Sequence, residues 1–196
     1  MTTEAEKQPI ELFLEWFDEA KSAEPALPEA MSVASVAADG RPSSRMVLLK
    51  DADARGFTFY TNLTSRKSYE IQNNAHAALL FHWKSLKRQI RIEGLVEAVT
   101  DDEADAYFAT RDRGAQIGAW ASDQSSPMSG QFDLEKKVAE WTVKFGVGKI
   151  SRPPFWSGMR VVPERYEFWS DGRFRLHDRL IYIRDGEKWT TERLFP

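Results

Sequence analysis

The sequence contains no cysteine and only three histidines, His76, His82 and His177. The lack of cysteine excludes disulfides, thiolate metal sites and a cysteine nucleophile. Three histidines are few for a histidine-rich metal site, so we expect none. The formal net charge is −3, so the chain has no overall basic field for nucleic acid, and any anion site must be local. It has no run of about 18 apolar residues and no apolar N-terminal signal core. We therefore expect a cytoplasmic protein that binds neither membranes nor nucleic acid.

The length of the chain and its hydrophobic content of 42% fit a single domain with a substantial core, spanning residues 1–196. We expect residues 1–8 to be disordered and a helix with an apolar stripe to begin at Pro9. Thr100 and Glu103 form a capping box, which predicts the start of another helix. Gly94 indicates a bulge in the strand of residues 89–99, and Ser170-Asp-Gly172 indicates a turn before a strand of residues 174–184. About seven strands in hairpin order predict a mainly β (α+β) fold, an antiparallel barrel, closed or partly closed, with helical additions.

The segment of residues 45–67 has the pattern of a strand, a turn, a second strand and a helix start. Thr64 or Ser65 is placed to cap this helix, and Arg66 and Lys67 follow directly. A helix start offers free backbone N–H groups and the positive end of a dipole, which together with two cations favour phosphate binding. The same residues also fit a β-hairpin followed by a solvated basic helix end. Local sequence alone leaves both interpretations open.

The run Arg45-Met-Val-Leu-Leu-Lys50, followed by Tyr60-Thr-Asn-Leu-Thr-Ser-Arg-Lys67, resembles the flavin mononucleotide (FMN) site of the pyridoxine/pyridoxamine 5'-phosphate oxidase family. Several separated motifs in the same order are more specific than any one of them. The resemblance implies an FMN-binding split β-barrel that works as a homodimer with FMN at the subunit interface. The further matching motifs are Gln89, residues 116–120, 124–125, 155–156, 167–169 and 175–179, and the C-terminal residues 193–196.

The resemblance also implies which residues contact FMN. Arg66 and Lys67, with Arg45 and Ser125 nearby, would bind its phosphate, and other polar side chains would bond to the ring edge. A cation near the pyrimidine edge would stabilise the negative charge of the reduced ring. The full set of cofactor residues that the resemblance implies is Arg45, Met46, Val47, Leu48, Leu49, Lys50, Tyr60, Thr61, Arg66, Lys67, Gln89, Gln124, Ser125, Trp169 and Arg179.

For the substrate, the resemblance implies a phosphate site made by Lys50, Tyr107 and Arg111. Family members often have serine where this chain has Ala115, which removes one hydroxyl from that site. Arg175 and His177 are the implied catalytic residues, and Leu176 lies between them as a further substrate contact. We expect Arg175 and His177 to lie in a strand, where residues two apart share a face and could bracket a pyridine ring.

The implied reaction is the FMN-dependent oxidation of pyridoxamine 5'-phosphate or pyridoxine 5'-phosphate by O2. Its products are pyridoxal 5'-phosphate and hydrogen peroxide, which places the enzyme in vitamin B6 biosynthesis and salvage. One alternative is a related split-barrel flavin oxidase for a different aromatic substrate of the phenazine type. The other is a non-catalytic protein that binds flavin or a B6 phosphate. The segment before the first helix is shorter than in many family members, so the presence of a lid over the substrate stays open.

Overall fold

The computed structural model describes residues 4–196, which form five α-helices and nine strands. The sequence predicted about seven strands, and one of the additional ones, Asp51–Asp53, lies where only a turn was expected. The helices are α1 (Pro9–Ala23), α2 (Arg66–Asn73), α3 (Asp101–Thr110), α4 (Arg113–Ala121) and α5 (Asp133–Phe145). The strands are β1 (Ala30–Val36), β2 (Pro42–Leu48), β3 (Asp51–Asp53), β4 (Gly56–Asn62), β5 (His76–Trp83), β6 (Arg88–Ala98), β7 (Trp156–Ser170), β8 (Asp178–Asp185) and β9 (Lys188–Arg193).

All strand pairs are antiparallel, and the sheet follows the order β2-β1-β5-β6-β7-β4-β3, with β8 and β9 added through β7. The long strand β7 pairs with β4 over residues 156–161 and with β8 over residues 165–170, while β6 runs along its other edge. Pro163 lies where the partner changes, and proline has no N–H to donate to a ladder. The result is a curled antiparallel half-barrel, as the sequence predicted.

A β-bulge interrupts the pairing of β6 and β7 between Glu93 and Gly94, at the position where the sequence indicated one. A Cβ at Gly94 would lie 2.0 Å from the carbonyl oxygen of Val162, so only glycine allows this close approach. The bulge bends the sheet at its longest strand pair.

Helix α1 packs its apolar face against the sheet and forms the main core. The ring of Phe13 contacts Phe57 on β4 with centroids 4.7 Å apart and Phe81 on β5 at 5.2 Å. Trp16 meets Phe168 on β7 at 5.2 Å. Because one helix touches three strands, it holds the curled sheet closed around a single aromatic core.

A smaller apolar cluster fixes α3 and α4 to the start of β7. Its buried members are Phe108, Ile117, Ile150 and Trp156. The capping box of Thr100 that the sequence predicted is present, with the hydroxyl of Thr100 accepting the backbone N–H of Glu103. This cluster positions the side chains of α3 beside β4 and β7.

The N-terminal segment differs from the expected disorder over residues 1–8. Residues 1–3 lie outside the described residues, but Glu4–Glu6 form a short 3-10 turn. The hydroxyl of Tyr182 donates to the carbonyl oxygen of Glu4, and Ala5 packs against the core. These contacts attach the start of the described chain to β8.

Within residues 4–196, no helix is long and apolar enough to cross a membrane.

Candidate functional site

A cleft of about 420 Å³ opens between β2, the end of β4, the start of α2 and the segment that follows α4. We call it the phosphate cleft, after the function that the sequence predicts for it. It brings together residues that are distant in the sequence but were all predicted to contact the cofactor. Those that line it are Arg45, Met46, Val47, Thr61, Arg66, Lys67, Gln124 and Ser125.

Lys67 is the most buried cation of the phosphate cleft, with only 8% of its surface exposed. Its ammonium donates to Thr61 Oγ1 at 2.7 Å, Gln124 Oε1 at 2.9 Å and Ser65 Oγ at 3.1 Å. All three acceptors are neutral. Burial, together with the charge of Arg45, lowers the pKa of Lys67 to about 8. An anion in the cleft would compensate this buried charge, so the site fits a phosphate group.

The two arginines of the cleft share one carboxylate, Glu70, which sequence reasoning did not single out. Arg66 Nε donates to Glu70 Oε1 at 2.8 Å, and Arg45 Nη2 lies 3.2 Å from Glu70 Oε2. Burial would raise the pKa of Glu70, but hydrogen bonds from Ser35, Ser43 and Arg66 lower it to about 2. The spacing of Arg66 and Glu70, four residues apart at the start of a helix, was the available signal.

Ser65 occupies the N-cap position of α2, as the sequence allowed, but its side chain accepts no backbone N–H there. Its hydroxyl instead contacts Lys67 and Ser68. The amide groups of Arg66 and Lys67 therefore begin the helix without a side-chain cap, next to the cleft. This is the helix start that favours an anion.

Strand β2 lies at one edge of the sheet and contributes a run of predicted cofactor residues. Arg45, Met46 and Val47 line the phosphate cleft, and Leu48 is half-buried at the end of the strand. Leu49 is only 5% exposed and belongs to the core, and its backbone N–H donates to the carbonyl oxygen of Glu29 at 2.9 Å.

A second cleft of about 260 Å³, the Arg111 pocket, adjoins the first and shares Thr61 and Gln124 with it. Ala115 and Trp156 also line it. The guanidinium of Arg111 lies 4.8 Å above the ring of Trp156, and its buried Nη1 has no hydrogen-bond partner. Burial lowers the pKa of Arg111. A buried guanidinium N–H without an acceptor indicates that an anion belongs in this pocket.

Aromatic stacking places Tyr107 beside the Arg111 pocket. The rings of Tyr60 and Tyr107 are 4.0 Å apart and nearly parallel, and Tyr60 also stacks on Trp156 at 5.2 Å. Burial raises the pKa of Tyr60, so its phenol stays neutral.

Lys50 lies just beyond β2 with an exposed side chain, and its backbone N–H donates to the Thr58 carbonyl at 2.9 Å.

The remaining predicted residues form a separate set, the Trp169 group. Gln89 on β6 pairs with Trp169 on β7, which pairs with Arg179 on β8. The imidazole of His177 lies 4.6 Å from the indole of Trp169. Arg179 donates to the buried Glu167 from Nε at 2.9 Å and lies 2.7 Å from it through Nη2.

The expectation that Arg175 and His177 share the face of a strand is wrong. β8 begins at Asp178, and Arg173–Arg175 form a 3-10 turn in which Phe174 and Arg175 have φ of 58° and 64°. The loop folds back because Gly172 approaches Leu176, where a Cβ would meet the carbonyl oxygen at 1.8 Å. Arg175 and His177 are thus held by a loop rather than by strand alternation.

This loop exposes apolar side chains and anchors His177 at its base. Phe174 is 91% exposed and Leu176 is 70% exposed. His177 Nδ1 lies 3.2 Å from Asp171 Oδ1 and 3.3 Å from the backbone nitrogen of Gly172. The side chains of Phe174 and Leu176 therefore lie outside the core of their own chain.

Within one chain, the Trp169 group and the Arg111 pocket lie at opposite ends of β7. β7 carries Trp156 of the Arg111 pocket at its start and Trp169 near its end. Thirteen residues of extended strand at about 3.3 Å each give a path of roughly 40 Å along β7 between them.

Comparison with known proteins identifies the same family in both parts of the chain. Residues 17–145 match the pyridoxamine 5'-phosphate oxidase family, and residues 156–196 match the pyridoxine 5'-phosphate oxidase C-terminal dimerisation region. A protein of Caulobacter vibrioides strain NA1000 named pyridoxine/pyridoxamine 5'-phosphate oxidase is 60% identical over 98% of this chain and 86% of its own length. A protein of Rhodospirillum rubrum with the same name is 56% identical, and both chains are covered completely.

Two solved structures share the fold. PhzG from Burkholderia lata 383, solved with tetrahydrophenazine-1-carboxylic acid, is 35% identical, with a TM-score of 0.91 over 96% of this chain and 93% of that one. A pyridoxamine 5'-phosphate oxidase-related, FMN-binding protein from Nostoc punctiforme PCC 73102 has a TM-score of 0.77 at 16% identity, over 97% and 98% of the two chains. The latter supports the fold alone.

Proposed function

Because the chain belongs to the pyridoxamine 5'-phosphate oxidase family, we propose that it oxidises pyridoxamine 5'-phosphate and pyridoxine 5'-phosphate with O2. The products are pyridoxal 5'-phosphate and hydrogen peroxide, and the amine substrate also releases ammonia on hydrolysis. As a family member the chain is an oxidoreductase. The observation that carries the substrate class is the buried, unpartnered Nη1 of Arg111 beside the phosphate cleft.

FMN is the proposed cofactor, and the phosphate cleft supports this choice. Lys67, Arg45 and Arg66 bring three positive charges to a cleft whose nearest carboxylate, Glu70, is already bonded to both arginines. A dianionic phosphate balances the excess charge. Bound FMN would supply the two-electron acceptor that no side chain of this sequence provides.

The substrate phosphate is proposed to occupy the Arg111 pocket. Arg111 offers Nη1 to it, and Tyr107 and Lys50 are the other predicted donors. Trp156 lines one side of the pocket, and Tyr60 stacks on its ring at 5.2 Å. Because the pocket shares Thr61 and Gln124 with the phosphate cleft, a substrate held there lies next to the cofactor site, and positioning is the chain's main contribution.

We further propose a homodimer with FMN at the interface, in which each active site uses the two clefts of one chain and the Trp169 group of the other. The separation of these sets along β7 supports this arrangement, as does the match of residues 156–196 to a dimerisation region. The exposed loop with Arg175 and His177 would then reach the substrate of the second chain and orient its ring.

A phenazine-type oxidase is the second candidate, because PhzG shares 35% identity and a TM-score of 0.91 with this chain. The identity of 56–60% to relatives named pyridoxine/pyridoxamine 5'-phosphate oxidase favours the B6 substrates. A phosphate dianion also matches the cationic Arg111 pocket better than a single carboxylate.

The deciding experiment supplies the purified protein with FMN and then with pyridoxamine 5'-phosphate, pyridoxine 5'-phosphate or tetrahydrophenazine-1-carboxylic acid under air. We expect pyridoxal 5'-phosphate and hydrogen peroxide in equal amounts from the first two substrates. Faster oxidation of the phenazine compound would favour the second candidate. FMN binding without turnover of any substrate would point to a non-catalytic flavin-binding protein.

A further inference from the structure

Glu70 is a carboxylate that the fold encloses almost completely, with 5% of its surface exposed. Its Oε1 accepts from Arg66 Nε at 2.8 Å, and its Oε2 is 3.2 Å from Arg45 Nη2. The hydroxyls of Ser35 and Ser43 both donate to Oε2 at 2.5 Å. Four donors from three elements, β1, β2 and α2, therefore converge on one side chain.

The two serines also connect Glu70 to Arg45 a second time. Arg45 Nη1 donates to Ser35 Oγ at 2.6 Å, and Arg45 Nη2 donates to Ser43 Oγ at 2.5 Å. Each hydroxyl thus accepts a hydrogen bond from the guanidinium and donates one to the carboxylate. Since both Nη atoms are tied in this way, the guanidinium of Arg45 has one orientation.

Glu70 itself does not line the phosphate cleft, whereas Arg45, Ser43 and Arg66 do. It lines a neighbouring cleft that shares Arg66 and Ser125. The carboxylate therefore lies behind the cations, where a bound phosphate does not touch it. Among residues 4–196, the side chain of Arg66 donates through Nε alone, to Glu70, which leaves its two Nη groups for the cleft.

We propose that Glu70 is a positioning residue that holds Arg45 and Arg66 in place for the phosphate of the flavin, and thereby makes the site select FMN over unphosphorylated riboflavin. This inference rests on the proposed cofactor and adds a residue that does not contact it. A carboxylate near an anion site acts in two opposite ways. Its charge repels the phosphate, whereas its hydrogen bonds preorganise the cations, and we assign the larger effect to preorganisation.

The test measures the binding of FMN and of riboflavin to the apoprotein by quenching of flavin fluorescence. In Glu70→Gln, the amide keeps the size of the side chain but presents an NH2 group to donors. We expect FMN affinity to fall by about tenfold or more, as for loss of a charge-assisted contact, and riboflavin affinity to change by less than about twofold.

Three other results would overturn the proposal. If Glu70 acted by its charge alone, Glu70→Gln would bind FMN more tightly than the parent, because one negative charge near the phosphate is removed. If Glu70 were only structural, FMN and riboflavin would lose affinity by the same factor. An unchanged FMN affinity would likewise contradict it.

Ser35→Ala provides a milder second variant should Glu70→Gln not fold. Ser35 is 1% exposed and does not line the phosphate cleft, so it affects the cofactor only through Glu70 and Arg45. We expect a smaller loss of FMN affinity, about threefold to tenfold, with riboflavin unaffected. Equal losses for both flavins would contradict the positioning role.

Glu103→Gln is the matched control. Glu103 also pairs with two arginines, Arg55 at 2.7 Å and Arg160 at 2.7 Å, and hydrogen bonds lower its pKa to about 2, but none of these residues lines the phosphate cleft. Its substitution should leave the ratio of FMN to riboflavin affinity unchanged. The unsubstituted protein tests the proposed FMN site separately from the role of Glu70. If it binds FMN no more tightly than riboflavin, the phosphate cleft does not bind the flavin phosphate.

Discussion

Lys67 and Arg111 are cations that the fold buries against neutral or aromatic groups. The ammonium of Lys67 has three neutral hydrogen-bond acceptors but no counter-charge among them. The guanidinium of Arg111 lies above an indole, and its buried Nη1 has no acceptor. Each cation has a neighbouring cleft into which an anion fits. At the residue scale, we expect these two side chains to contribute much of the affinity for the two proposed phosphorylated ligands.

The lowered pKa of Lys67 predicts that FMN binding weakens in alkali. Above pH 8 the free protein loses the ammonium, so the Kd for FMN should rise by up to about tenfold per pH unit. A phosphate with a second pKa of about 6 is already dianionic there and adds no pH dependence. Fluorescence titrations between pH 7 and pH 10 test this, with riboflavin as the ligand that should show no such change.

The same group has the opposite effect on stability. Between the folded pKa of about 8 and the ordinary value of 10.5, the unfolded chain binds more protons, so the apoprotein becomes more stable as the pH rises. Lys67→Arg keeps its charge throughout this range and should flatten both profiles. An FMN affinity of the parent that stays constant up to pH 10 would show that Lys67 does not bind the phosphate.

Arg111 is expected to dominate substrate binding, and position 115 to matter less. Arg111→Met should raise KM for pyridoxamine 5'-phosphate by about ten- to hundredfold with FMN saturating, because it removes a charged donor from a buried site. Ala115→Ser adds one neutral hydroxyl to the same pocket and should change KM by less than about tenfold. Steady-state kinetics at fixed FMN test both. An unchanged KM in Arg111→Met would favour the phenazine-type function.

At the scale of the elements, the bulge in β6 determines the course of β7. Gly94→Ala should lower the free energy of unfolding by about 3 kcal/mol, because its Cβ would lie 2.0 Å from the backbone of Val162, which moves only if β6 and β7 separate. Gly40→Ala is the control. Gly40 has φ of 85° but open space around it, so the loss should be about 1 kcal/mol. Urea unfolding that gave equal losses would contradict a steric role for Gly94.

The loop at residues 172–177 shows where prediction of elements from the pattern fails. Asp171 and Gly172 signalled a turn, but the alternation of residues 174–184 was extended back too far. Phe174 and Arg175 adopt left-handed backbone angles that non-glycine residues seldom take. Such angles depend on the contact between Gly172 and Leu176 across the loop, which no local pattern records.

For the whole molecule, the proposed shared site predicts complementation between chains. A heterodimer with Arg111→Met in one chain and Arg175→Leu in the other contains one site with both substitutions and one intact site. It should retain about half of the parent activity per dimer, since the two sites of a symmetric dimer are equivalent. Two affinity tags on co-expressed chains allow its purification.

The heterodimer with both substitutions in the same chain is the matched control. In a shared-site dimer it has one substitution in each site and should be almost inactive. Sites contained within single chains predict the reverse, with the control half-active and the first heterodimer inactive. The pair of measurements therefore distinguishes the two arrangements when the substrate concentration is kept below KM, where loss of either side chain lowers the rate.

The local sequence was sufficient for much of the fold. The apolar stripe after Pro9, the Thr100 capping box and the bulge at Gly94 depend on neighbours within a few residues, or on one strand pair, and all three are present. The motifs around Arg45 and Lys67 indicated an anion site for the same reason, because side-chain type and spacing set the possible donors. These properties are encoded over short distances.

Only the tertiary structure decided how those donors are used. Glu70 reaches Arg45 because α2 packs on β1 and β2, and Lys67 is buried because Gln124, 57 residues away, closes over it. The separation of the Trp169 group from the Arg111 pocket follows from the length of β7. Burial, orientation and separation depend on contacts between residues distant in the chain, and those contacts exist only once the sheet has curled around α1.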